Sequence, residues 1–462
     1  MNTTLTPHQE EIFNGLTKEL KSNLEQAYST WRGDPINHLF SLTGAAGTGK
    51  SHLTVQIVAD IYKMISNSRY PYDSIWVTGP THKSTGILRD EMRRNGIVNI
   101  QCATIHSFLK LKLKRDFNTG AEKYVADKFD QQQHRASLLV VDESSMVSEE
   151  IYDLILEAVA TRKVREVLFV GDPYQLLPVS NNGENKVYML EKQFQLTQIV
   201  RQQEDNAIIT LSQKMKNCIK EQSFPKLDTL FEDIKDSKDI EIFANKDDFV
   251  EDFYKNKNWD KEDKIFTSFT NETVESLNDV IRQQYWSEQG INNPDFLMKG
   301  DTLRFKNSLN DDGIKSARTN GVFRNDEEVT LESAEMQIDA KLGIKYWKCQ
   351  VVNRKNSTFY VLDPDCLITF NKLLQNIAID AKNAEFPFNK GYWRKYFGLK
   401  NSFANVNYNY AATIHKLQGS TYDTVYIDLN SLMYNKHIDE DFRFRLVYVA
   451  ITRARHKVKI LF

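Results

Sequence analysis

The run Gly44-Ala-Ala-Gly-Thr-Gly-Lys-Ser51 fits G-x-x-x-x-G-K-[ST], the pattern of a loop that cradles nucleotide phosphates. Gly44, Ala45, Ala46, Gly47, Thr48 and Gly49 can turn backbone N–H groups toward phosphate oxygens. Lys50 brings a point charge to the β- and γ-phosphates, and Ser51 offers a hydroxyl to Mg²⁺. ATP and Mg²⁺ are therefore the expected cofactors. Further along, Asp142-Glu143 pairs two carboxylates: Asp142 suits the metal shell, and Glu143 can orient and deprotonate an attacking water. Such a pair can also cap a helix, but a phosphate loop in the same chain gives it a hydrolytic use. Gln175, in Gly171-Asp-Pro-Tyr-Gln-Leu-Leu-Pro178, is neutral and has donor and acceptor atoms with which to sense a γ-phosphate or its water. Arg201 and Arg453 are cationic candidates for the charge that builds on a transferring phosphoryl group. Either arginine alone would read as a surface or salt-bridging residue; only the ensemble raises them.

These groups need a scaffold. A phosphate loop requires a strand before it and a helix after it. Leu39-Phe-Ser-Leu-Thr43 supplies the strand, and Leu53, Ile57, Val58, Ile61 and Ile65 recur near helical spacing. That helix aims its positive end at the phosphates. Ser74-Ile-Trp-Val-Thr78, Ser137-Leu-Leu-Val-Val141 and Val167-Leu-Phe-Val170 are short apolar runs, the signature of buried parallel strands. Each ends in a polar turn, and ligand groups gather at the carboxyl ends of strands in open α/β sheets. A first α/β domain is expected over 1–186, with a hairpin insertion over about 108–136. Within it, Lys110-Leu-Lys-Leu-Lys114 alternates with period two and Phe117-Asn-Thr-Gly120 can turn. Its lysines suit either phosphates or a protected sheet edge. A second α/β pattern occupies 187–295 and 405–462, through Lys264-Ile-Phe-Thr-Ser-Phe269, Thr424-Val-Tyr-Ile427 and Val458-Lys-Ile-Leu461. Between its halves, 296–404 carries short strands with turn residues, as in a small inserted β-barrel.

The 462 residues suit roughly two to four domains. With 41% apolar and 26% charged residues the balance is globular, and the net charge of -2 gives no global basic field. A nucleic-acid partner must then be met in a local groove. No apolar run reaches the length of a membrane span, the first residues lack a signal-peptide core, and the four cysteines lack C-x-x-C spacing. These features predict a reduced cytoplasmic setting without a membrane or zinc site, host cytoplasm if the source is a phage.

The motif order GAAGTGKS, PTHKS, ATIHS, VVDES, GDPYQLLPV, LTQIVRQ, FTSFTNETV, ATIHKLQGS and VYVAITRAR resembles superfamily 1 helicases. It is most similar to the 5′-to-3′ branch that includes RecD-like and Dda-like helicases, over nearly the whole chain. The resemblance implies two RecA-like P-loop motor domains with ATP between them, a β-hairpin pin in the first and an SH3-like β-barrel with an extension in the second. It implies that Gln9 reads the adenine edge and that Lys50, Ser51, Asp142, Glu143, Gln175, Arg201 and Arg453 form the hydrolytic site. Gln418 and Gly419 would couple that site to DNA. Strand contacts would come from Thr81, His82, Thr104, His106, Thr270, Asn271, Thr413 and His415, and Trp393 and Phe397 would contact DNA or brace the pin. Small polar and ring side chains suit phosphate hydrogen bonds and base stacking without sequence readout. Phe117 or Tyr124 would stack on the last base pair. The partners implied are single-stranded and fork DNA, and single-strand-binding or replication proteins, with the motor a monomer. Two other readings stay open: a translocase that strips proteins with little unwinding, and a non-motor nucleotide- and DNA-binding recruitment factor.

Overall fold

The computed structural model describes residues 4–25, 34–66, 74–98, 100–126, 135–178, 185–198, 206–232, 234, 237–310, 316, 318–354, 356–433 and 435–462. Among these, the first strands are β1 (Leu39–Gly44), β2 (Ile75–Gly79) and β3 (Gln101–Thr104). A hairpin follows, β4 (Leu111–Arg115) and β5 (Glu122–Ala126), then β6 (Ala136–Val141), β7 (Val164–Gly171) and β8 (Gln193–Leu196). All but the hairpin form one parallel sheet in the order β3-β2-β6-β7-β1-β8. Every residue of β1, β6 and β7 is buried, because helices cover both faces and the strands must be apolar on both. The period of two divides them cleanly. Leu168 and Val170 join one core with Leu16, Leu53, Ile57 and Ile61, while Val167 and Phe169 join the opposite core with Tyr152, Ile155 and Val159. Each such side chain contributes about 1.5–3 kcal/mol through its burial. The helix Lys50–Ser66 follows the phosphate loop as its apolar spacing predicts.

The second parallel sheet contains β9 (Ile240–Phe243) and β10 (Lys264–Ser268). The chain then leaves it for β11 (Thr302–Phe305), β12 (Glu328–Asp339), β13 (Ile344–Val351), β14 (Thr358–Leu362) and, after two helices, β15 (Val406–Tyr408). It returns as β16 (Ala411–Thr413), β17 (Tyr422–Asp428) and β18 (Ala454–Leu461). The returning strands complete the order β16-β10-β17-β18-β9, parallel throughout. The excursion is an antiparallel sheet, β14-β13-β12-β11-β15, around Phe305, Phe323 and Phe359. Asp301 ties it down: Arg282 donates to it from Nε at 2.9 Å and Nη2 at 2.8 Å, and Trp286 donates from Nε1 at 3.0 Å.

Two boundaries differ from the sequence reading. The first sheet runs past 186, because β8 pairs with β1 and Phe194 packs into its core. The antiparallel sheet runs past 404, because β15 pairs with β11. Both strands are too short for periodicity to reveal. The inserted region also holds two helices, Leu367–Asn383 and Asn389–Lys400. No helix among the described residues is long and apolar enough to cross a membrane.

Candidate functional site

The phosphate loop stands at the carboxyl end of β1. Gly47 and Gly49 take φ of 84° and 83°, a left-handed conformation that costs a side-chain-bearing residue energy. Gly44 has a different reason: a Cβ there would lie 2.6 Å from Thr48 Oγ1. Lys50 Nζ donates to the carbonyls of Gly44 at 2.6 Å and Ala45 at 3.1 Å, folded along the loop it would leave for a phosphate. Ser51 is exposed at the start of the helix behind the loop. Gln9 is buried, and its amide spans Thr48 and Thr6: Nε2 donates to the Thr48 carbonyl at 3.1 Å, and Oε1 accepts from Thr6 N–H at 3.1 Å. Gln9 therefore touches the phosphate loop directly.

Asp142 and Glu143 emerge at the end of β6. Glu143 has φ of 50°, a strained left-handed backbone of the kind that clusters at functional sites. Burial, then the Glu143 charge, pushes the Asp142 carboxyl up to about 7, against the pull of Lys50. Two crowded carboxylates beside a phosphate loop form a donor set that a divalent cation would relieve. Gln175 Oε1 and Gln418 Nε2 are buried with no hydrogen-bond partner among the described residues, a costly state for polar atoms unless a ligand completes it. A nucleotide with a divalent cation fits the chemistry of these residues.

The second sheet closes over this edge. A Cβ at Gly419 would lie 3.4 Å from Ser84 Cβ and 3.9 Å from Glu143 Oε1, so the Gln418-Gly419 turn faces the carboxylate pair. The helix Glu440–Thr452 faces the Gly171–Pro178 turn. Tyr448 OH donates to Asp172 Oδ2 at 2.7 Å and accepts from Ala46 N–H at 3.2 Å. Arg445 Nη1 donates to the carbonyls of Pro173 at 2.7 Å and Gln175 at 2.9 Å. Arg453 is buried and bonded within its own lobe: Nε to Val449 O, Nη1 to Ser420 O and Nη2 to Thr452 Oγ1. Its charge still acts on the Tyr448 hydroxyl, which touches the phosphate loop. Arg201 lies outside the described residues. Tyr448 and Arg445 carried no assignment from sequence. The signal was present: a phenol inside the buried run Leu446 to Ile451 must find a partner.

A cleft of about 1030 Å³ opens between the first sheet, the hairpin and the inserted region. Thr81, Thr104, His106 and Tyr124 line one side, and Lys306, Asn307, Asn325 and Asn405 line the other. Thr81 and Thr104 also cap helices, accepting from Ser84 N–H and Ser107 N–H. Thr270 caps Asn271–Glu288 in the same way. Asn271 and Thr413 line a smaller recess with Lys306, which joins the two hollows. Burial lowers the affinity of His106 and His415 for a proton below the usual imidazole value, which favours neutral rings suited to stacking. His106 meets Tyr124 edge-on at 5.7 Å, and His415 lies 5.9 Å from Phe442. His82 opens the helix His82–Arg94, and its side chain lies outside the described positions.

Trp393 and Phe397 do not face the cleft. Both are buried, in a cluster with Phe117 of the hairpin turn. Phe397 meets Phe117 edge-on at 6.1 Å, and Arg115 stacks over Phe397 at 4.9 Å. Lys400 Nζ reaches Glu122 at 2.6 Å. In this structure the two rings pack against the turn of the hairpin. Phe117 is consumed by the same packing, whereas Tyr124 is half exposed on the cleft.

Two family models match separate stretches of the chain. Residues 36–229 match the model of an AAA domain, and residues 408–461 match that of a UvrD-like helicase C-terminal domain. The ATP-dependent DNA helicase Dda of enterobacteria phage T4 is 25% identical, with 98% of each chain covered. The RecBCD enzyme subunit RecD of Buchnera aphidicola subsp. Schizaphis graminum is 23% identical, covering 92% of this chain and 70% of RecD. A crystal structure of Bacteroides Pif1 bound to ssDNA aligns over 99% of this chain and 92% of that one, with a TM-score of 0.49 and 16% identity. Along nearly its whole length, this chain is similar to the DNA helicase Dda and to RecD.

Proposed function

We propose that this chain is an ATP-driven DNA helicase that moves 5′ to 3′ along single-stranded DNA and unwinds the duplex ahead of it, as a monomer, in phage-type replication or recombination. The observation that carries the reading is the seam. A phosphate loop, a carboxylate pair and the Gln175 turn from one parallel sheet meet Gln418, Gly419 and Tyr448 from another. The two sheets act as RecA-like motor domains. The hairpin serves as the pin, and the antiparallel sheet with its helices serves as an SH3-like domain.

Lys50 exchanges its carbonyl partners for phosphate oxygens, and Glu143 accepts the proton of the attacking water. Mg²⁺, held by Ser51 and Asp142, would neutralise charge on the phosphates. Gln175 reports the γ-phosphate to a turn that the second lobe grips through Arg445. Arg453 and Arg201 stabilise the charge that builds during transfer. Alternating closure and opening then changes each lobe's grip on a strand held by Thr81, Thr104, His106, Thr270, Asn271, Thr413 and His415. The work is affordable: one base-pair step averages about 1.4 kcal/mol of stacking.

Strand displacement on 5′-tailed and 3′-tailed duplexes tests the reading, with Lys50→Ala beside the wild type. The wild type should displace the 5′-tailed substrate and leave the other intact. Lys50→Ala should lose DNA-stimulated ATP hydrolysis by about 100-fold or more, with single-strand binding retained. Wild-type displacement confined to 3′ tails would overturn the polarity, and full unwinding by Lys50→Ala would overturn the phosphate-loop assignment.

A further inference from the structure

Tyr448 lies on the helix Glu440–Thr452 of the second lobe and is 1% exposed. Its hydroxyl leaves that lobe. It accepts the N–H of Ala46, in the phosphate loop, and donates to Asp172, which is fully buried after β7. A phenol has one proton to give and lone pairs to receive, so both capacities are spent across the seam. Burial and the Asp172 charge hold the phenol well above its usual range, so it stays a donor. The other Asp172 oxygen accepts from Tyr174 N–H at 3.0 Å, which fixes the turn leading to Gln175.

Three residues earlier on the same helix, Arg445 grips that turn from outside through the carbonyls of Pro173 and Gln175. An ion pair with Asp441 at 2.6 Å holds the guanidinium in place. Leu176, at the end of the turn, is 2% exposed within the core of the second lobe, beside Ile208, Leu211 and Tyr448. The turn that carries Gln175 thus issues from the first sheet but is packed and hydrogen-bonded by the second.

We infer that Tyr448 and Arg445 are positioning residues that make turnover conditional on lobe closure. Through them the helix Glu440–Thr452 sets the phosphate loop and the Gln175 turn in one geometry only when the lobes are together. When the lobes part, Ala46 N–H and Asp172 lose their shared partner and the Gln175 carbonyl loses its clamp. Hydrolysis then stops for want of alignment, even with nucleotide still held by Lys50. This inference rests on the reading of the chain as an ATP-driven motor.

Tyr448→Phe in the full chain is the test, because it keeps the ring in its packing and removes only the hydroxyl. DNA-stimulated kcat should fall by at least about tenfold, with KM for ATP moving by less than about threefold. Asp172→Asn should behave alike, and the double variant should lose no more than the worse single one, since the two act as a unit. A merely structural role would instead lower the thermal midpoint and make the losses multiply. If Tyr448→Phe does not fold, Arg445→Gln provides the second reading, with the same selective loss of kcat expected. Wild-type kcat in Tyr448→Phe, or multiplied losses in the double variant, would overturn the inference while leaving the motor intact. A wild-type chain without ATP turnover on single-stranded DNA would instead overturn the motor reading itself.

Discussion

Single side chains at the seam carry separable duties, and Glu143 is the sharpest case. Its backbone sits at φ 50° at a strand end, within reach of Gly419 from the other lobe. Glu143→Gln keeps the shape and removes the carboxylate proposed as the base. ATP turnover should fall by about 10²–10⁴-fold, while nucleotide affinity persists; single-turnover hydrolysis beside equilibrium nucleotide binding checks this. A variant that still turns over at the wild-type rate would move the base elsewhere. At this scale the sequence offers candidates wherever chemistry imposes spacing, as at Lys50, Ser51, Asp142 and Glu143. It was silent where a residue works through its partner. Tyr448 and Arg445 look like packing and surface until Asp172 and the Pro173 carbonyl stand opposite them. The threonines read both ways, since a capping hydroxyl and a cleft-lining hydroxyl have the same sequence signature.

Among the elements, the hairpin β4–β5 depends on a helix from a distant part of the chain. Gly120 has φ of 75°, and a Cβ there would lie 2.3 Å from the Trp393 ring. Gly120→Val should displace the turn from its brace. Strand displacement should then fall by tenfold or so, with single-strand-stimulated ATP hydrolysis within about twofold of wild type. Parallel loss of both activities would show that the hairpin is not a separate device. The alternation of Lys110 to Lys114 revealed the hairpin, but its support was hidden. Trp393 and Phe397 are aromatic in either role, and their packing against Phe117 emerges only in three dimensions. The parallel strands β1, β2, β6 and β7 were legible because burial on both faces leaves a nearly unbroken apolar run. The strands β3, β8, β9, β15 and β16 span three or four residues each, too few for a pattern to rise above composition.

Among the described residues, two parallel sheets, an antiparallel one and the two-stranded hairpin are joined by specific anchors. Arg282 and Asp301 are the clearest, with side chains 7% and 1% exposed. Arg282→Met would leave the Asp301 charge buried without its cation. Such removals cost about 3–5 kcal/mol, so the unfolding free energy should drop by that amount, read as a lower denaturant midpoint. An unchanged midpoint would mean that water already reaches Asp301. The junction on the return path is tighter still. Only Asn409 and Tyr410 separate β15 of the antiparallel sheet from β16 of the second parallel sheet. Asn278 pins that link, its Oδ1 accepting from Tyr410 N–H at 2.9 Å and Ala411 N–H at 2.8 Å. Thr413 and His415 follow at once, and the Gln418-Gly419 turn comes next. A link this short and this well tied has no slack. Any displacement of the outlying sheet would therefore carry straight along the chain toward the turn at Gly419, which stands beside Glu143.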